Sequence, residues 1–275
     1  MTSRPRRPIF FVSDGTGITA ETIGHSVLTQ FDGIDFDTKR LPFVDSEEKA
    51  QVACALICAA HAHTQWRPIV VNTVVDPVLS GVLAASGALM LDVFAPFIGP
   101  LEQELGQSRT PSVGKAHGLN NYAEYEARMN ATNYALTHDD GIEINFSDAE
   151  VILIGVSRSG KTPTCLYMAL HYGVRAANYP LIPEDLEAGE IPSRLRSFKD
   201  RMYALTIDPT RLSQIRTERR PNSQYASLAQ CQWEVETAQK LYKRENIPVL
   251  SSTHTSIEEI ASKVLQALGI NRQLY

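Results

Sequence analysis

Several things are scarce in this sequence, and each scarcity excludes a class of function. No apolar run approaches the ~20 residues that a membrane-crossing helix requires. There are only four cysteines, Cys54, Cys58, Cys165 and Cys231, and no C-x-x-C pair joins any of them. Neither a zinc site nor a disulfide framework is indicated. The pair His61 and His63 lacks partner ligands and reads as surface. Charge of one sign is also weak, with a formal net charge of −5 and a sequence pI near 5.8. Such a balance gives no general attraction to nucleic acid or to an anionic membrane. Internal repeats and low-complexity tracts are not evident. The opening Met1–Pro8 is basic but leads only into the short run Ile9–Val12, too brief for a signal-peptide core. Arg4, Arg6 and Arg7 are expected to form a solvated tail, and a cytoplasmic location is expected.

What is present is an alternation of strand and helix patterns over 275 residues, 43% of them hydrophobic. That length predicts one large or two smaller domains. Strands are expected at Ile9–Val12, Phe36–Val44, Pro68–Val75 and Ala88–Phe94. The pattern between the first two predicts a helix whose Ile23, Val27, Leu28 and Phe31 share a face. A second helix opens at Asp45–Glu48, and a short third one spans Pro77–Ala85. Repeated strand–helix units indicate a parallel α/β sheet. Turn formers then dominate from Gly106 to Gly118, which marks a boundary. The expected organisation is an N-terminal parallel-sheet α/β domain over 1–106, a linker over 107–120, and a kinase-like α/β domain with a phosphate loop over 121–275. In the last, Tyr122–Thr137 reads as a helix, and strands are expected at Ala177–Leu181, Met202–Ile207 and Ile247–Leu250. Asp208-Pro209 opens another helix. A final helix covers Ile257–Leu268, with Thr255 and Glu258 as its capping box.

The stretch with most chemistry is Gly155-Val156-Ser157-Arg158-Ser159-Gly160-Lys161-Thr162. It satisfies G-x-x-x-x-G-K-S/T at every fixed position, after the apolar run Val151–Ile154 and before a helical pattern. Glycines let the backbone curl so that successive N–H groups face an anion. The following helix N-terminus adds partial positive charge. Lys161 is expected to reach the terminal phosphates, and Thr162 to ligate Mg²⁺. Pro163 sits in the first helical turn, where its missing N–H does no harm.

Phosphoryl transfer also needs charge stabilisation and a carboxylate. Arg216, Arg219 and Arg220 fall at i, i+3 and i+4, hence on one helix face, and are candidates to face phosphate. A solvated basic face explains them equally well. Asp139 and Asp140, before Gly141, are the candidate base and metal pair, with Arg158 and Lys161 completing the catalytic set. Turn residues bonding their own backbone are the plainer alternative, and Asp92 and Asp208 are rival carboxylates. A second loop, Ser13-Asp14-Gly15-Thr16-Gly17, joins a strand to a helix and suits an anion or a partner contact. Gly15, Gly17 and Ala20 also match G-x-G-x-x-G/A, which would suggest a nicotinamide-dependent dehydrogenase. Against that, Asp14 would stand beside the pyrophosphate, and the Lys161 loop would be left over. A non-catalytic nucleotide-sensing module is a third alternative.

Taken together, Phe10–Glu21, His138–Gly141, Gly155–Thr164, Leu205–Pro209 and Ser252–Ser256 occur in one order. That set resembles the bifunctional regulatory proteins of phosphoenolpyruvate synthase and of pyruvate, phosphate dikinase, over nearly the whole chain. Gly160-Lys161 is more similar to the synthase-directed branch. The resemblance implies an ADP-dependent kinase that phosphorylates and inactivates a target threonine. It also implies the reverse step, phosphorolysis by inorganic phosphate with release of pyrophosphate. The protein partner would be phosphoenolpyruvate synthase or pyruvate, phosphate dikinase. Whether the chain forms a homodimer stays open.

Overall fold

The computed structural model describes residues 6–110, 122–139 and 145–272, with backbone alone at 122–124. The chain divides into two compact units, Met1–Gly118 and Leu119–Tyr275. Both are α/β, each with a four-stranded sheet of parallel strands. Among the described residues, no helix is long and apolar enough to cross a membrane.

The first unit runs β1 (Arg7–Val12), α1 (Ile18–Leu28), β2 (Phe36–Leu41), α2 (Glu47–Thr64), β3 (Ile69–Asn72), α3 (Pro77–Ala84), β4 (Leu89–Asp92) and α4 (Ala95–Leu105). Its strands lie in the order β2-β1-β3-β4. Successive side chains of a strand point to opposite faces. Phe10, Val12 and Val70 accordingly pack against Ala53 and Ile57 of α2 and Leu83 of α3. Ile9, Phe11 and Val71 pack on the other face with Ala20 of α1.

One expectation is refined here and one fails. The face of α1 turned to the sheet carries Ala20 and Gly24, with Leu28 packed beside them, while Ile23, Val27 and Phe31 are exposed. The cause is a close approach: a Cβ on Gly24 would lie 2.3 Å from Cε1 of Phe11, so only a small residue fits. Arg7 is not part of a solvated tail either. It begins β1, and its guanidinium carbon lies 5.4 Å from the Trp66 ring centroid. Arg4 and most of the expected linker lie outside the described residues.

The second unit comprises α5 (Tyr122–Thr137), β5 (Val151–Val156), α6 (Lys161–Tyr172), β6 (Ala176–Leu181), α7 (Pro183–Ala188), β7 (Met202–Thr206), α8 (Pro209–Arg219), α9 (Leu228–Glu245), β8 (Val249–Ser251) and α10 (Ile257–Ala267). The strand order is β6-β5-β7-β8. All six residues of β5 are buried, as a strand covered on both faces should be. Ile152 and Ile154 pack with Val235 and Leu241 of α9. Val151 and Leu153 pack with Met168 of α6 and Val264 of α10. α9 was not anticipated, although Cys231, Val235, Ala238 and Tyr242 recur at helical spacing and are buried. α10 is capped one residue later than expected, with Ser256 Oγ accepting from the Glu259 N–H.

The tight contact at Gly24 sets two effects against each other. Gly24→Ala should gain about 1 kcal/mol from helix propensity. It should lose about 1–3 kcal/mol to overpacking against the buried Phe11 ring. Net destabilisation is the expected outcome, read as a lower urea midpoint for the variant.

Candidate active site

The phosphate loop follows β5, whose two neighbours are β6 and β7. The chain leaves β5 toward β6 and returns on its other side as β7, so the loop stands at a switch point of the sheet. Gly155 is needed there because a Cβ would lie 2.5 Å from the Leu205 carbonyl oxygen on β7. That backbone atom belongs to a paired strand and cannot give way. Arg158 takes a left-handed conformation with φ 74°, and Gly160 follows with φ 91°. A left-handed non-glycine residue costs of order 1–3 kcal/mol, held here by the loop around it. Lys161 is buried and donates from Nζ to the Val156 carbonyl at 3.0 Å, folding its side chain back across the loop. The Thr164 N–H and hydroxyl both bond Gly160 O, closing the first turn of α6.

In front of the loop lies a cavity of about 500 Å³. Its lining includes Asp139, Arg158, Lys161, Thr162 and Arg219. Thr162 donates from Oγ1 to Asp139 Oδ1 at 2.7 Å. Asn178 on β6, 1% exposed, donates from Nδ2 to the same carboxylate oxygen and to Thr162 Oγ1 at 3.2 Å. Three cationic side chains, a carboxylate and a hydroxyl thus face one space. Asp140, the other half of the expected pair, lies outside the described residues. Asp92 belongs to the first unit, where it ends β4 and accepts from the Phe94 and Ala95 N–H groups. Asp208 caps α8, accepting from the Arg211 N–H.

The expected arginine face splits. Arg219 lines the cavity, whereas Arg216 turns the other way and is fully buried. Arg216 forms a two-pronged ion pair with Glu234 of α9, at 2.7 and 3.1 Å. It also donates to the carbonyls of Tyr225, at 3.0 Å, and Ser157, at 3.1 Å. Its guanidinium carbon stands 4.0 Å from the Tyr225 ring centroid. Burial by itself would lower its pKa, but the hydrogen bonds and charge of Glu234 outweigh that and leave it raised. Arg220 ends the helix at φ −138°, off the helical path, and does not line the cavity. Three positions on one helix turn were too coarse a signal, because i+3 and i+4 neighbours straddle the boundary between a buried and an open side. Glu234, Tyr225 and Asn178 were not anticipated at all. Tyr225 holds the loop from outside as well, its hydroxyl 2.9 Å from Ser157 Oγ.

The Ser13–Gly17 loop is arranged differently. Asp14 is buried, and its carboxylate accepts from the Val75 N–H at 2.7 Å. Ser13 Oγ accepts from the Gly15 N–H at 3.1 Å. Thr16 is exposed. Gly17 precedes α1 with φ 80° and makes no side-chain cap. Of the cysteines, Cys165 is wholly buried behind the phosphate loop, and burial pushes its thiol pKa far up, which makes it packing rather than chemistry.

A glycine-rich loop at a sheet switch point, opening on a cationic cavity with a carboxylate, is an arrangement that suits an α/β protein of the phosphotransferase type. The family model described as kinase/pyrophosphorylase matches residues 9–265, and the chain belongs to that family. A relative from Stenotrophomonas maltophilia is 63% identical over 269 residues, covering 98% of each chain. Relatives from Xylella fastidiosa and Xanthomonas campestris pv. campestris are 59% and 58% identical over 269 residues, again with 98% of each chain covered. All three carry the provisional name phosphoenolpyruvate synthase regulatory protein.

Removing one member of the buried pair leaves a charge without compensation. Glu234→Ala should therefore cost about 3–5 kcal/mol of stability. The check is chemical denaturation, with the solvent-facing Arg220→Ala as the control that should change little.

Proposed function

We propose that this protein phosphorylates a threonine of phosphoenolpyruvate synthase with ADP as donor, inactivating it, and reverses this by phosphorolysis. The observation that carries the reading is the set Lys161, Thr162 and Asp139, gathered at one cavity on a phosphate loop. The family and the names of the relatives support the regulatory role and the target. The ADP and phosphate chemistry follows from the resemblance of the motifs.

In the forward step the threonine oxygen bonds to the β-phosphorus of ADP. The bond from that phosphorus to the bridging oxygen breaks, and AMP leaves carrying the bridge. Asp139 takes the hydroxyl proton, a role its hydrogen bond to Thr162 Oγ1 at the cavity suits. Lys161, Arg158 and Arg219 offset charge on the transferring group, the usual source of catalysis in phosphoryl transfer. In the reverse step an oxygen of inorganic phosphate attacks the phosphothreonine phosphorus. The bond to the threonine oxygen breaks, Asp139 returns the proton, and pyrophosphate leaves. A divalent cation fits the oxygen donors present. The hydroxyl of Thr162 and the ADP phosphates would hold Mg²⁺, which takes few protein ligands, and it would offset phosphate charge.

Lys161→Met should fold normally and lose transfer by roughly 10²–10³-fold, the scale of losing one preorganised charge-stabilising donor. Asp139→Asn should still bind ADP yet transfer slowly. The assay follows label from β-labelled ADP into purified phosphoenolpyruvate synthase. Label that binds and never transfers would replace the kinase with a sensing module.

The Ser13–Gly17 loop would then serve as an anion or partner contact. Thr16→Val should leave ADP affinity at the Lys161 loop unchanged and impair phosphorolysis or target recognition. Loss of ADP binding in that variant would assign the loop to the nucleotide site instead.

A further inference from the structure

Asn178 is a polar side chain in a strand that is otherwise apolar on both sides of it. Ala176, Ala177, Tyr179 and Leu181 of β6 are all buried hydrophobic residues, and Asn178 itself is 1% exposed. An amide in such a place costs free energy unless its donors find partners. Among the described residues, two partners of its amide nitrogen are groups of the reaction site. One contact of Nδ2 goes to Asp139 Oδ1 and the other to Thr162 Oγ1. An amide nitrogen has two N–H groups, enough for both at once. The backbone adds a third tie, since the Asn178 N–H donates to the His138 carbonyl at 3.2 Å.

These contacts fix more than distance. The hydroxyl proton of Thr162 is committed to Asp139 Oδ1, and one lone pair of the same oxygen accepts from Asn178. A hydroxyl oxygen has two lone pairs, so its remaining one has a set direction. Asp139 receives two hydrogen bonds on the same oxygen, which restrains rotation of its carboxylate. Asp139 sits just past the C-terminal end of α5, where no helical bond orients it. We propose that Asn178 is a positioning residue for phosphoryl transfer: it locks Asp139 and Thr162 into one unit, so that the base and the cation-facing hydroxyl stand in register. This rests on the reading above in which Asp139 takes the acceptor proton. Asn178 is not among the residues lining the cavity and acts through its neighbours Asp139 and Thr162, which are.

A double-mutant cycle separates this from a staple that merely joins β6 to the end of α5. The variants are Asn178→Ala, Asp139→Asn and the pair, assayed for transfer from ADP, with ADP affinity by calorimetry and unfolding midpoints alongside. Asn178→Ala should lower kcat by roughly 10–100-fold, the scale for a group that orients a reacting one. Its KM and affinity for ADP should stay unchanged. In the Asp139→Asn background the same substitution should cost clearly less than it does alone, because the base that it positions is gone and only its hold on Thr162 is left. Multiplying losses with a slow Asp139→Asn overturn this inference alone. A wild-type rate in Asp139→Asn overturns the base assignment and this inference with it. Should Asn178→Ala not fold, Asn178→Leu keeps the volume, removes both N–H donors without setting a charge beside Asp139, and runs through the same cycle with the same expected pattern.

Discussion

Arg216 brings a full positive charge to a position with no solvent exposure, and the surroundings of the phosphate loop follow from how that charge is met. Two of its contacts go to the Glu234 carboxylate, one to the carbonyl of Tyr225 and one to the carbonyl of Ser157. Those partners come from α9, from the turn before it and from the loop itself. Every one must be in place for the guanidinium to be tolerated, because an uncompensated buried charge costs several kcal/mol. A buried ion pair of this kind adds little net stability over apolar packing. What it adds here is geometry: the loop cannot shift without breaking a charge-assisted bond, and Tyr225 repeats the constraint through its hydroxyl on Ser157.

The front of the loop is shaped by sterics rather than charge. Gly155 lies so close to Leu205 O that any side chain would push β5 and β7 apart. Arg158 accepts a left-handed backbone, and its side chain thereby lines the cavity. Lys161 rests on the Val156 carbonyl. An ion pair behind the loop and a carbonyl wall below it both hold its curled form. Preorganised donors of this sort act on a developing charge without reorganising during the reaction.

The sequence reveals those features that depend on fixed spacing and conceals those that depend on which side faces inward. The phosphate loop was legible because its glycines and lysine have one workable order. The alternation of strands and helices was legible because parallel strands buried on both faces form plain apolar runs. Arg216 was misread because helical spacing groups side chains without saying which edge of the group meets α9. Helical spacing likewise groups Ile23, Val27, Leu28 and Phe31 without saying which way they face: Leu28 packs on the core, while Phe11 crowds Gly24 and leaves Ile23, Val27 and Phe31 exposed. Asn178 gave no signal, being one polar letter inside a strand pattern. Asp139 could be named as a candidate, but nothing in the letters separated a reacting carboxylate from a turn residue. Its bond to Thr162 Oγ1, 23 positions away, is what brings it to the cavity and supports the proposed role.

The two sheets have the same strand order, β2-β1-β3-β4 and β6-β5-β7-β8, and a loop follows the corresponding strand in each. No residue-level repeat announced this, because parallel α/β rules admit few orders and many sequences satisfy one. The loops then diverge in side chains. Ser13–Gly17 has no lysine, and its carboxylate is turned inward onto the Val75 N–H. The Gly155–Thr162 loop has Lys161 across its mouth and a carboxylate brought to it from the end of α5. Equal scaffolds therefore carry unequal chemistry, and fold alone would not have told them apart. The difference lies in a lysine, a hydroxyl and an aspartate, and in the buried asparagine that brings the last two together.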